Sequence, residues 1–344
     1  MFFASDNGAP VPAQVMAALV SANAGPAMPY GADDMSAATR DRIRTIFEAP
    51  MAEVFLLATG TAANALALAV LCPPWGSVLC HRLAHVDQDE CGAPEFFTSG
   101  AKLIGIDGAH GRITPDALTR ALALVGTSGV HGVQRAALSL TNATEAGTIY
   151  TSSEIAALCT VAHAAGLGVH LDGARLANAL VATGASPAEM TWCAGVDIVT
   201  LGGTKNGLLG VEAVVIFDPT KAQEFALRRK RGGHLFSKYR YLAAQMDGWL
   251  TDDLWLGLAG HANAMAARLA AEIATVPGAH LVHPVQANIV FAALPAAGLA
   301  RARAAGAQFY QEDIGSAEAP VVRLVTSWAT DIAEIDTLLA HLGQ

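Results

Sequence analysis

Seven short apolar runs recur along the first two thirds of this chain, each separated from the next by a segment of helical character. The runs are EVFLLAT, GSVLC, AKLIGID, RAALSLT, LGVHLD, VDIVTLG and VEAVVIFD, and several of them end on Gly, Asp or Asn. Between them lie Ala/Leu-rich stretches such as GTAANALALAVLC, TPDALTRALALV and TSSEIAALCTVAHAAG, the last with Thr-Ser-Ser at its start and Gly at its stop. A strand that is apolar at every position has no solvent face. Strands of that kind alternating with helices predict a mainly parallel sheet covered on both sides. The composition agrees, since 53% of the 344 residues are hydrophobic and only 15% charged.

From about Arg240 the pattern changes. One long helical stretch, YLAAQMDGWLTDDLWLGLAGHANAMAARLAAEIATV, is followed by HLVH, NIVFAAL, RAAGAQFY and VVRLVT as further runs, then by a last helix in DIAEIDTLLAHLG. This predicts a small α+β C-terminal domain over residues 246–344 behind a large α/β domain over residues 1–245. The basic run RRKR at 228–231 reads as a solvated helix end. A formal charge of −9 argues against nucleic acid or an anionic membrane as partner. The most apolar stretch, ANALALAVLC, is only ten residues, against the ~20 a bilayer requires. The start, MFFASDNGAP, lacks the basic and apolar parts of a signal peptide. The five cysteines are scattered and odd in number, and predict reduced, mostly buried thiols in a cytoplasmic protein.

No G-x-G-x-x-G follows the first strand, no G-x-x-x-x-G-K-[ST] occurs, and no H-E-x-x-H or comparable cluster points to a catalytic metal. The chain does place one lysine between glycines, in LGGTKNG (201–207), directly after an apolar strand. Lys205 is either a solvated loop residue or a nucleophile that binds an aldehyde cofactor. The second reading needs a carboxylate to keep the cofactor's ring nitrogen protonated. Asp172, at the end of LGVHLD and 33 residues earlier, is either that group or a helix cap. Both residues end apolar strands, and ligands of open α/β sheets bind at the carboxyl ends of strands. Gly60 and Thr61 in ATGTAANAL stand where a strand turns into a helix, either as an ordinary cap or as a cradle of free amides for a phosphate.

Taken together, SDN near the start, YGADD, TGTAAN, HVDQDECGAPEFFTSGAKL, HLDGARLANAL, GVDIVTLGGTKNG and VRLVTSW resemble the L-threonine aldolase family, more narrowly its low-specificity and phenylserine aldolase members. The motifs run in order from about residue 3 to 330. The resemblance implies an aspartate-aminotransferase-like fold (fold type I of the pyridoxal 5'-phosphate enzymes) and a homodimer or homotetramer with active sites at subunit interfaces. It assigns Lys205 as the Schiff-base lysine and Asp172 as the pyridinium partner. It makes His85 the ring-stacking histidine that also handles a proton, and Gly60 with Thr61 the phosphate cradle. Arg175 would reach the ring hydroxyl or the substrate carboxylate, and Ser5 with Arg323 would hold that carboxylate. Arginine in an apolar strand such as VVRLVT is costly to bury without an anion. Tyr30 would line the site, and Arg231 would reach a cofactor phosphate across the interface unless it is simply solvated.

Many family members carry a histidine after an Asn-Thr pair where this chain reads SLTNATEAGTIY, with Asn142, Thr144 and Glu145 but no histidine. Glu145 is therefore the candidate for holding a catalytic water, unless it is an exposed loop acid. The implied activity is cleavage of L-threonine, L-allo-threonine or L-phenylserine, small amino-acid substrates, to glycine and an aldehyde. Two alternatives share the same Lys, Asp and cradle: another pyridoxal-phosphate lyase acting by β-elimination, and a non-catalytic protein of the same fold.

Overall fold

The apolar runs become seven strands of one sheet in the computed structural model, which describes residues 1–343. They are β1 (Glu53–Leu57), β2 (Gly76–His81), β3 (Lys102–Ile106), β4 (Gln134–Thr141), β5 (Gly168–Gly173), β6 (Ile198–Gly202) and β7 (Glu212–Ile216). Their order across the sheet is β1-β7-β6-β5-β4-β2-β3. Every residue of β2, β6 and β7 is buried, as continuous apolar runs require, whereas β3 at the edge is partly exposed and begins with Lys102. Neighbours from β6 through β3 pair in parallel. Only β7 runs the other way, antiparallel to both β6 and β1. Its reversal places the start of β7 at the edge where all the other strands end.

Helix Gly60–Leu71 crosses the sheet and is buried from Ala62 through Ala69, which explains why it is built from Ala and Leu without a polar face. Helix Ser152–Ala164 begins at a capping box, with the Thr151 hydroxyl and the Glu154 carboxylate each accepting from the other's backbone N–H. A second sheet holds β8 (His280–Leu281), β9 (Ile289–Ala293), β10 (Tyr310–Gly315) and β11 (Pro320–Val325), antiparallel in the order β10-β11-β9-β8. It has its own core, which includes Leu269, Val290, Val322, Leu324 and Leu338. The first residues of the chain also belong there. Phe3 is fully buried in that core, and its backbone bonds Gln308 O and Val325 N at 2.8 Å each.

Three local expectations are corrected. The long helical stretch is two helices, Arg240–Leu250 and Leu254–Ile273, because Asp252 and Asp253 both take left-handed backbone at φ 52°, a conformation Asp tolerates better than most residues. The second of these helices spans both cores, with Trp255 and Leu258 in one and Leu269 and Ile273 in the other. RAAGAQFY is not a strand: helix Ala296–Ala304 takes its start, and β10 begins only at Tyr310. The basic run does end helix Ala222–Arg231, but Arg229 is buried, with its guanidinium 4.9 Å from the Phe55 ring centroid and 3.2 Å from the Tyr239 hydroxyl. Apolar and aromatic neighbours cover its stem, which a charge count alone does not reveal. Among the five cysteines, Cys72, Cys80 and Cys159 are buried and Cys91 and Cys193 exposed, all free. No helix among the described residues is long and apolar enough to cross a membrane.

The end of β6 packs tightly against the chain leaving β5. A Cβ on Gly202 would lie 2.5 Å from Ala174 Cα and 2.6 Å from its carbonyl oxygen, a clash with backbone that no rotamer relieves. Gly202→Ala is expected to destabilise the protein by about 2–4 kcal/mol. Gly257, exposed in helix Leu254–Ile273 with nothing within 4 Å of where a methyl group would stand, is the control. Gly257→Ala should stabilise by roughly 0.5–1 kcal/mol. Equal midpoints for the two variants in urea unfolding would show that the close approach at Gly202 is not a constraint.

Candidate active site

The edge where β1, β2, β4, β5 and β6 end, and β7 begins, carries a cavity of about 380 Å³. Gly60, Thr61, Asn64, His85, Asp172, Thr204, Lys205 and Glu212 are among the residues that line it. Adjacent parallel strands thus deliver side chains that lie far apart in sequence: His85 follows β2, Glu145 follows β4, Asp172 ends β5 and Lys205 follows β6. Glu212 arrives from the opposite direction. It opens antiparallel β7, paired with Gly202 of β6 on one side and Leu57 of β1 on the other.

The turn that carries Lys205 is anchored on both sides. Ahead of it, Glu212 accepts from the Gly203 amide at 2.8 Å and from the Thr204 hydroxyl at 2.6 Å. Behind it, the Asn206 side chain donates to Trp255 O at 2.8 Å, and the Trp249 indole donates to Asn206 O at 2.8 Å. Gly207 closes the turn at φ 101°, where a β-carbon would be strained and would also press on Pro12. The ammonium itself makes no hydrogen bond or ion pair among the described residues. Removal from water and the nearby Arg175 guanidinium lower its pKa, against the pull of Asp6, Asp172 and Glu212.

Asp172 is buried. Its Oδ1 accepts from the Ala174 amide and its Oδ2 from Asn64 Nδ2, both at 2.9 Å. The same Asn64 nitrogen donates to Glu90 Oε1 at 2.9 Å, and His85 Nδ1 lies 2.9 Å from that oxygen. His85, Glu90 and Asp172 consequently come within 4.8 Å of one another. The bond to Glu90 raises the pKa of His85 although burial opposes it. Burial raises Glu90 in turn, and the carboxylate of Asp172 adds to the effect. Glu145 accepts from the His85 backbone amide at 2.8 Å, keeps a buried Oε2 without a partner, and is pushed up to about 7 by loss of water. It is not an exposed loop acid.

Other expected residues stand outside the cavity lining. Arg175 is locked on buried Asp6 through two bonds, Nε to Oδ2 at 2.7 Å and Nη2 to Oδ1 at 3.0 Å, with Asn288 donating to the same Oδ2 at 3.0 Å. Burial would raise Asp6, but Arg175 and Lys205 hold its pKa below the usual carboxylate value. Ser5 caps the short helix Asp6–Gly8, accepting from the Asn7 amide. Arg323 in β11 lies against the same segment. Its Nη2 is 3.5 Å from Ala4 O, its guanidinium is 5.3 Å from the Tyr310 ring, and its Nε is buried without a partner. No carboxylate among the described residues pairs with it. Tyr30 and Arg231 are exposed and do not line the cavity.

Asn64, Glu90, Glu212 and Asp6 were not singled out by sequence. Each lies in or beside a segment read for another reason, and what joins them is contact across 108 residues for Asn64 and Asp172 and 169 for Asp6 and Arg175. The only local signal was a polar Asn inside the otherwise apolar GTAANALALAVL.

A parallel α/β sheet with a lysine and an aspartate at its carboxyl edge and a helix N-terminus opposite defines the pyridoxal-phosphate enzymes of fold type I. The sequence matches the beta-eliminating lyase family over residues 3–297. It is 44% identical over 336 residues to the low specificity L-threonine aldolase of Pseudomonas aeruginosa, covering 98% of this chain and 95% of that protein. It is 41% identical over 340 residues to the low specificity L-threonine aldolase of a Pseudomonas species, covering 99% and 96%. The solved structure of Leishmania major threonine aldolase superposes with a TM-score of 0.93 at 27% identity, covering 99% of this chain and 98% of that one. This chain belongs to the beta-eliminating lyase family, and its cofactor is pyridoxal 5'-phosphate.

The cavity fits that group. The amides of Gly60 and Thr61, at the start of a twelve-residue helix, have no acceptor among the described residues, and the space where a Gly60 Cβ would stand is open. That leaves a cradle for a phosphate, an unpaired amine for an aldehyde, and a buried carboxylate for a ring nitrogen.

Glu212 is also pushed up to about 7 from 4.5 by burial. A carboxyl that binds its proton more tightly when folded contributes stability at low pH and loses it as pH rises through about 7. The Glu212→Gln variant should therefore gain on wild type by up to about 3 kcal/mol between pH ~4.5 and ~7.5. Urea unfolding at both ends of that window checks it, and a difference independent of pH would contradict the burial argument.

Proposed function

We propose that the chain is a pyridoxal-phosphate-dependent aldolase that cleaves L-β-hydroxy-α-amino acids, L-threonine, L-allo-threonine and L-phenylserine among them, to glycine and an aldehyde. The observation that carries this reading is the unpaired, desolvated Lys205 beside buried Asp172, in a chain 44% identical to a low specificity L-threonine aldolase across nearly its whole length. When bound, pyridoxal phosphate supplies a protonated ring that accepts the electron pair of the breaking Cα–Cβ bond.

The residues of the chain do the rest. Lys205 Nζ holds the cofactor covalently, and its lowered pKa favours the neutral, nucleophilic amine. Asp172 keeps the ring nitrogen charged, and Gly60 with Thr61 takes the phosphate through free amides. Arg175, aimed by Asp6, reaches the cofactor or the substrate. Ser5 and Arg323, both beside Ala4, grip the substrate carboxylate, which gives the Arg323 Nε the anion it lacks. His85 Nε2, which no described residue binds, takes the proton of the β-hydroxyl, directly or through a water held by the unpartnered oxygen of Glu145.

The large domain spans 1–245 and the small one 246–344 in this reading, with the first residues of the chain docked on the latter. Phe96 is 76% exposed, and Tyr30 and Leu209 are exposed near half their area, with Leu209 lining the cavity. Such apolar surface supports a homo-oligomer, dimer or tetramer, whose interface meets the site and puts Tyr30 and Arg231 to use. Its free cysteines suit the cytoplasm.

Lys205→Ala should lose the visible absorption of the bound cofactor and cut aldol cleavage by about 10³-fold or more. Incubating the wild-type protein with threonine, allo-threonine and phenylserine should release glycine with acetaldehyde or benzaldehyde. 2-Oxobutanoate from the two threonines, or phenylpyruvate from phenylserine, released with ammonia as the main products would replace this reading with β-elimination.

A further inference from the structure

We propose that Glu90 is a positioning residue: together with Asn64 it ties His85 Nδ1 to Asp172 in one chain of hydrogen bonds, fixing the imidazole so that Nε2 is its basic nitrogen. The inference deepens the aldolase reading and rests on it only for the task given to His85.

The chain is continuous and out of water. Glu90 has a fully buried side chain, and its single oxygen Oε1 meets both Asn64 Nδ2 and His85 Nδ1 at 2.9 Å. Asn64 Nδ2 can only donate, so Oε1 is held as an acceptor, and the nitrogen that faces it is the one that carries hydrogen. A neutral imidazole with Nδ1 protonated has its lone pair on Nε2. The second Asn64 bond, to Asp172 Oδ2, prevents the amide from turning to present its oxygen to both carboxylates. Asn64 is in turn fixed within helix Gly60–Leu71, where it is 2% exposed. A single amide thereby bridges Glu90 and Asp172 and separates two acids that would otherwise repel.

The other groups that face His85 do not compete for its ring. Glu145 binds its backbone amide, while Lys205 and Asp172 act on it only through their charge, with opposite signs. The ring bond to Glu90 is the strongest influence on its proton affinity. Glutamine at position 90 keeps an oxygen where Oε1 stands, because that atom must accept from Asn64, so it removes the charge facing Nδ1 and leaves the hydrogen there. Leucine removes the acceptor altogether, so that nothing holds the hydrogen on Nδ1.

The test is a proton-nitrogen correlation spectrum of the holoenzyme labelled with [15N]histidine, with the His85 signal assigned by its absence in His85→Phe. Wild type should show hydrogen on Nδ1 of neutral His85 and a titration midpoint above that of an ordinary histidine. In Glu90→Gln the hydrogen should stay on Nδ1 while the midpoint falls by about one pH unit. In Glu90→Leu hydrogen should appear on Nε2 of the neutral ring, the midpoint should fall as well, and kcat should drop about 10²-fold with KM little changed. Hydrogen on Nε2 in wild type overturns the proposal, even if Glu90→Gln fails to fold. So does a Glu90→Gln protein whose His85 keeps its midpoint, or a Glu90→Leu protein whose His85 keeps both its tautomer and its midpoint. The spectrum needs no turnover, so a failure of the aldolase assay bears on the reaction and leaves this result standing.

Discussion

One lysine side chain is taken largely out of water without an anion in hydrogen-bonding reach, and the surroundings of the cavity are arranged around that cost. A buried ammonium is unfavourable by several kcal/mol unless it is paired or neutral. Here the compensation is spread out. Asp6, Asp172 and Glu212 favour its charge from a distance while burial and Arg175 oppose it. The balance leaves an amine ready to be consumed by a covalent bond rather than by a salt bridge. Holding it in place falls to neighbours that touch the backbone: Glu212 in front, Asn206 with Trp249 and Trp255 behind.

The same electrostatic arrangement extends to the start of the chain and the second sheet. Asp6 binds Arg175 from a segment whose preceding residues are laid on the second sheet, and Asn288, just before β9, binds Asp6 and Thr326 O. Arg323 of β11 opens onto that same N-terminal segment. The site thus draws on the amino terminus, the large sheet and the small sheet at once. Loss of Asp6 would leave a partly buried guanidinium unpaired beside an already desolvated ammonium, a more damaging change than loss of a surface ion pair.

Much of the fold was legible because it rests on periodicity. Continuous apolar runs marked all seven strands of the large sheet, and the Gly, Thr and Asp at their ends marked the cavity edge. Lys205, Asp172, Gly60 and Thr61 line that edge, since strand ends in a parallel sheet converge without any need to know distances, whereas His85, which lines it too, was reached only through the resemblance. The helix break at Asp252–Asp253 was not legible, because two aspartates in left-handed backbone look like any exposed helical pair. Nor was the antiparallel turn of β7, which carries Glu212 into the site from a run that reads like its neighbours. Glu90 and Asn64 escaped for a related reason: each means something only against a partner, and periodicity places residues on faces rather than next to one another. Arg229 shows the converse, a basic run whose second residue is buried under aromatic rings.

The chain has five lysines, and Lys102, Lys221, Lys230 and Lys238 all lie outside the cavity lining. Reduction of the native holoenzyme with borohydride, followed by digestion and mass mapping, fixes the cofactor to whichever lysine holds it. The expected result is a single pyridoxyl label on the peptide containing LGGTKNG, at Lys205. A label on any of the other four, or no label on a protein that retains full activity, would contradict the central role given to that side chain.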